Sequence, residues 1–74
     1  MTEEEFSVSL RAFCGRRPFR HFLIEFFNGQ QIQVKHPEGV DSFGGVWLFH
    51  EPQSNRVVVF ASSSVCRLLD PPEG

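Results

Sequence analysis

The sequence predicts a small, mainly β domain: one N-terminal helix followed by a five-stranded antiparallel barrel. Three observations lead there. The first 14 residues carry helical start, stripe and stop signals. From Phe19 onward the apolar residues recur with a period of two, and turn residues cut that stretch into five short runs. The chain has 74 residues, enough for one domain and too few for two, so 1–74 is read as a single domain.

The helix is expected over about 2–14. Thr2 can cap it, and Glu5 stands three positions later, the spacing of a capping box. Glu3, Glu4 and Glu5 place negative charge at the positive end of the helix dipole. Phe6, Leu10 and Phe13 fall at i, i+4 and i+7, which draws one apolar stripe. Gly15, with Pro18 beyond it, supplies the stop.

The strands are expected at about 20–27, 30–36, 45–51, 56–61 and 65–69, with a tail over 70–74. Asn28-Gly29 marks the first hairpin. A two-residue loop there would set Glu25 opposite Ile32 and mix the faces. A three-residue loop, Phe27-Asn28-Gly29, sets Ile24 opposite Ile32 and Phe22 opposite Val34, with Gly29 left-handed. Pro37 ends the second strand by removing a ladder donor. Residues 38–45 hold three glycines and several polar groups and read as a loop. Pro52-Gln53-Ser54-Asn55 reads as a turn, and Ser62-Ser63-Ser64 as a single helical turn between the last two strands.

Composition narrows the function classes. A formal net charge of −2 argues against a strongly basic nucleic-acid binder, while leaving room for a local basic face. The two cysteines, Cys14 and Cys66, lie in no metal or redox spacing and read as reduced thiols of a cytoplasmic protein. Three glutamates follow Met1 in place of an export signal, and the longest apolar runs are too short to span a bilayer. Neither a membrane nor a cofactor is expected.

The residues that could carry chemistry each have a plainer reading beside the functional one. Arg11, Arg16, Arg17 and Arg20, with His21 adjacent, could bind phosphates through their fork-shaped donors; equally, Arg16 and Arg17 can serve only to end the helix. Phe43, Trp47 and Phe49 could form a stacking platform for bases or simply pack in the core. His21, His36 and His50 lie one apiece in separate segments, without cysteine or carboxylate at ligand spacing, so no metal site is expected. Ser62, Ser63 and Ser64 lack the glycines of a nucleophile elbow, and turn chemistry accounts for them. No acid–base or nucleophile constellation is present, so an enzyme is not expected.

The order of helix, bent hairpin, loop, hairpin, one-turn break and short last strand resembles the Sm-like small-barrel superfamily, nearest to the bacterial Sm-like RNA chaperones. Asn28-Gly29, Val46-Trp47-Leu48-Phe49 and Arg56 to Leu69 carry the resemblance, together with a helix ending in Arg16-Arg17. It implies a small Sm-like or SH3-like barrel that self-associates and binds RNA. The family's Lys-His pair at the end of its fourth strand is replaced here by Val59 and Phe60, so that RNA site does not carry over. A shorter stretch also resembles a group of small bacterial proteins. Its residues are Arg17-Pro18-Phe19-Arg20-His21-Phe22-Leu23-Ile24, Asn28-Gly29 and Val34-Lys35-His36-Pro37-Glu38. This implies a bacterial or phage-like origin and points to no known activity.

The runs Phe22-Leu23-Ile24, Val46-Trp47-Leu48-Phe49 and Val57-Val58-Val59-Phe60 are apolar on both faces, where a sheet with one wet face would alternate. The surplus predicts a homo-oligomer. Val57, Val58, Val59, Phe60 and Val65 are the expected subunit interface, the fourth strand pairing across it as in Sm-like rings. The expected function is a non-enzymatic binding module, with RNA or another protein as partner. RNA would come through the Sm-like resemblance, and a peptide or other protein through an exposed strand edge.

Overall fold

A computed structural model describes residues 1–51 and 54–72 of the chain. Helix α1 runs Glu3–Cys14. Its start is set locally: the Glu5 amide donates to Thr2 Oγ1 at 3.0 Å, and the Thr2 amide donates to Glu5 Oε1 at 2.8 Å. The capping box read from the sequence is therefore formed. At the other end, the Gly15 amide donates to the Arg11 carbonyl at 2.9 Å. A side chain at Gly15 would sit 3.0 Å from that same oxygen, so the close turn favours glycine.

Strands β1 (Phe22–Phe26) and β2 (Gln31–Val34) form the first hairpin. Ile24 faces Ile32 and Phe22 faces Val34, the register expected from a three-residue loop. Gly29 takes φ +88°, a conformation that a residue with a Cβ enters only at a cost of roughly 1–2 kcal/mol. The Asn28 side chain supports the turn by accepting from the Gln30 amide at 2.9 Å.

The loop expected over 38–45 is a strand instead. A 3-10 turn, Pro37–Gly39, leads into β3 (Val40–Phe43), which pairs with β4 (Val46–Glu51). Gly44 and Gly45, at φ +59° and +85°, make the two-residue hairpin loop between them. Glycine content made the segment look irregular, yet paired glycines are what such a turn requires. The hairpin of β4 and β5 (Arg56–Phe60) keeps an unbroken register from Trp47–Phe60 to Glu51–Arg56. Ser54 and Asn55 lie in its turn, while Pro52 and Gln53 of the expected turn fall outside the described residues. Ser62–Ser64 is a 3-10 turn, and β6 (Val65–Leu69) follows. Of the expected tail, Glu73 and Gly74 also fall outside the described residues.

Among the described residues the five-stranded barrel is thus corrected to six strands in two three-stranded antiparallel sheets, ordered β2-β1-β6 and β3-β4-β5. The turn at Pro37 is the physical reason. After it the chain enters β3 in the stretch expected as a loop, and β3 pairs with β4 while β2 pairs with β1.

The core lies between the sheets and α1. Phe22, Ile24 and Val65 face inward from one sheet, and Trp47, Phe49 and Phe60 from the other. Phe6 joins the helix to the second sheet, its ring edge-on to Trp47 at 4.8 Å and to Phe60 at 5.7 Å. Phe13 reaches the first sheet, 5.0 Å from Phe22. The Trp47 indole N–H donates to the Glu3 carboxylate at 3.1 Å, which satisfies the polar end of a buried ring. The helix thereby ties both sheets together.

Candidate interaction surface

Two open sheets leave four edges, and an exposed edge is a template for a further strand unless something blunts it. Edge β2 carries Gln31, Gln33 and then Lys35, and is stopped by Pro37. Edge β3 has four residues and exposes Asp41 and Ser42. Edge β6 packs against α1, carries Arg67 and runs into Asp70-Pro71-Pro72. Edge β5 differs from all three. Its one charge is Arg56 at the first position, and Val57-Val58-Val59-Phe60 follow with no proline, lysine or bulge.

The outward face of that strand is apolar as well. Val57 is 52% and Val59 60% exposed. Across the sheet Val59 faces half-buried Leu48, and Val46 faces Phe43, which is 74% exposed at the hairpin tip. Phe27, 70% exposed, borders with Val58 and Val59 a groove of about 610 Å³ along β5. Alternation sorts the expected interface residues: Val57 and Val59 point out, Val58 is half-buried, and Phe60 and Val65 belong to the chain's own core.

The four arginines are not brought together as a free cluster. Arg11, Arg17 and Arg20 are exposed. Arg16 is engaged: its Nη1 donates to Asp70 Oδ1 at 2.7 Å, its Nη2 to the Arg20 carbonyl at 3.0 Å, and its guanidinium lies 4.7 Å from the centre of the Phe13 ring. That contact fastens the segment after α1 to the end of β6. It also sets the Asp70 carboxylate against the Arg16 guanidinium, which offsets one of the cluster's charges. Trp47 and Phe49 are buried, which leaves Phe43 as the accessible ring of the three aromatics considered for stacking.

His21, His36 and His50 are exposed. Among the described residues, no three His, Cys, Asp or Glu side chains are grouped to hold a metal ion. Cys14 and Cys66 are free thiols, and burial pushes the Cys14 thiol above its ordinary pKa. Among the described residues, no helix is long and apolar enough to cross a membrane.

Two ion pairs give the fold a pH dependence. Hydrogen bonds from the Gln31 side chain and from Arg67, at 2.7 Å, hold the Glu25 carboxyl below the ordinary value. The bond from Arg16 does the same to Asp70. A carboxyl whose folded pKa is depressed adds stability above its unfolded pKa, and that stability is lost as pH falls through the folded pKa. The domain should therefore lose thermal stability as the pH drops below about 4.5. A Glu25→Gln, Asp70→Asn variant should start lower at neutral pH and fall less on acidification. Parallel melting curves from neutral to acid pH would count against these two pairs.

A second surface was not singled out in the sequence. A cleft of about 590 Å³ runs between β2 and the β4–β5 hairpin, with Lys35, His36, Arg56 and Glu51 among its lining. The period of two places these residues in strands but says nothing of the gap between two sheets. Compared with known proteins, the chain matches no family model, and no curated protein or solved structure is significantly similar to it.

Proposed function

We propose that this protein is a non-enzymatic binding module that associates with a second copy of itself along the free edge of β5. The observation that carries the reading is the contrast among the edges: β2 is short and polar, β3 is short and carries a charge, β6 lies against the helix, and β5 is a bare apolar run of valines. Antiparallel pairing of two β5 strands about Val58 is self-complementary. It sets Val57 opposite the partner's Val59, and Arg56 opposite the partner's Phe60, with no like charges facing. An interface related by a two-fold axis closes on itself as a dimer and does not propagate into a fibre.

Element order, rather than barrel closure, is what supports a kinship with the Sm-like proteins. The helix, the first hairpin, the β4–β5 hairpin and the 3-10 turn before the last strand keep the order on which the sequence resemblance rests, while β3 stands where that order has a loop. The free thiols fit a reducing, cytoplasmic setting. Protein association is favoured over RNA binding because Arg16 is tied to Asp70 and Trp47 is buried.

Sedimentation velocity from low to tens of micromolar, at low and high salt, tests this. A dimer that persists at high salt is the expected result, since apolar strand pairing does not depend on counterion release. A monomer throughout refutes the reading. Tight binding of short A-rich or U-rich RNA that collapses with salt, and is lost in an Arg17→Ala, Arg20→Ala variant, would favour phosphate recognition instead.

A further inference from the structure

We propose that the cleft beside β2 takes an extended acidic peptide segment from another protein, adding it as a fourth strand to the sheet β2-β1-β6. The slot shares Arg56 and Val58 with β5, but its occupant pairs with β2, so the proposal does not need the β5 edge to pair.

The direction of the cleft comes first. Gln31, Ile32 and Gln33 are consecutive and all line it. Successive side chains of a strand point to opposite faces, so a cavity lined by three in a row runs along the strand's edge. Phe49, Val58 and Arg56 form the facing wall. The result is a slot bounded on one side by unpaired backbone and on the other by the second sheet.

The hydrogen-bonding capacity of that edge follows from the hairpin. The Phe26 amide donates to the Gln30 carbonyl at 2.9 Å, which makes Phe26 and Gln30 a hydrogen-bonded pair. Bonded and non-bonded pairs alternate along an antiparallel ladder. Ile24–Ile32 and Phe22–Val34 are then bonded pairs, while Glu25–Gln31 and Leu23–Gln33 are not. Gln31 and Gln33 therefore turn their amides and carbonyls into the slot. An edge of four residues extends about 13 Å at roughly 3.3 Å per residue, room for one short strand.

Charge selects the occupant. Lys35, His36 and Arg56 line the slot against a single carboxylate, Glu51, and among the described residues neither Lys35 nor Arg56 lies in an ion pair. Half-buried Ile32 and Val58 offer an apolar floor for alternate side chains. This combination fits a strand with apolar residues inward and acidic residues at the rim, the mode of recognition by strand addition. RNA would not use the alternating backbone donors and acceptors. A second copy's β5 would bring Arg56 to a cationic rim.

Fluorescence anisotropy of a blocked seven-residue peptide alternating aspartate and valine tests the assignment. Saturable binding is expected, weakened about fivefold or more by Lys35→Glu and by Arg56→Glu, and absent for the same peptide with lysine in place of aspartate. Gln33→Pro should abolish binding, because it deletes an amide aimed at the slot and not one paired with β1; circular dichroism verifies its fold. Without any substitution, hydrogen exchange should show the Gln31 and Gln33 amides gaining protection on binding, with Ile32 and Val34 unchanged. The assignment is overturned by no saturable binding, by equal binding of the lysine peptide, by displacement with a U-rich oligonucleotide, or by protection appearing on β5. Failure of self-association would leave all of these readouts intact.

Discussion

Replacing Phe6 with alanine is expected to remove about 3–5 kcal/mol of stability, the range for deleting a fully buried phenylalanine. That is a large share of what the domain has. At roughly 0.05–0.15 kcal/mol per residue, a chain of 74 residues is stabilised by about 4–11 kcal/mol. Two effects add at this position. The first is loss of the transfer energy of the ring together with the cavity left behind. The second is loss of edge-on contacts with Trp47 and Phe60, each worth about 0.5–1.5 kcal/mol beyond area burial. Phe6 is also, beside Glu3, a side chain through which α1 holds the β3-β4-β5 sheet, so its removal loosens the element that joins the two sheets. Urea unfolding of Phe6→Ala beside Val8→Ala measures this directly. The exposed Val8 should shift the midpoint by no more than about 0.5 kcal/mol. A Phe6→Ala protein within about 1 kcal/mol of the native chain would mean that the helix is not the structural link between the sheets.

The parts of this fold that were legible in the sequence are those written by local chemistry. Thr2 and Glu5 set the start of α1 with only each other's help. The loop Phe27-Asn28-Gly29 could be chosen by asking which register keeps apolar residues on one face, because a slip of one residue would turn every side chain over. Strand β3 was hidden for the opposite reason. In Val40-Asp41-Ser42-Phe43 the exposed Asp41 and Ser42 dilute the strand preference of Val40 and Phe43, and pairing with β4 decides it.

The surfaces divide the same way. That β5 is too apolar for an isolated two-sided strand is visible in Val57-Val58-Val59-Phe60 alone. Which valines point out depends on where the core lies. Phe60 and Val65, expected at an interface, are covered within the single chain, Phe60 against the Phe6 ring of α1. The role of Arg16 could not be read at all, since its partner Asp70 is 54 positions away. The slot beside β2 belongs to the spacing between two sheets, for which a sequence carries no local sign.

Charges introduced at Val57 and Val59 are expected to control assembly with little effect on folding, because both side chains face solvent in the single chain. In the two-fold register about Val58, position 57 of each copy lies opposite position 59 of the other. A Val57→Lys, Val59→Lys variant then places like charges opposite each other twice, which is destabilising in a cross-strand pair. Its dissociation constant should rise by about tenfold or more, a change of roughly 1.4 kcal/mol or above. A Val57→Lys, Val59→Glu variant instead places each introduced lysine against the partner's introduced glutamate, and pairing is retained. Other registers do not share this rescue: a two-fold axis at Val57 would set the introduced lysines against each other.

The most direct measurement is the native mass of three proteins at tens of micromolar: the unaltered chain, the lysine–lysine variant and the lysine–glutamate variant. Pairing through β5 predicts a dimer, a monomer and a dimer, in that order. A monomeric unaltered chain, or a lysine–glutamate variant as monomeric as the lysine–lysine one, would contradict it.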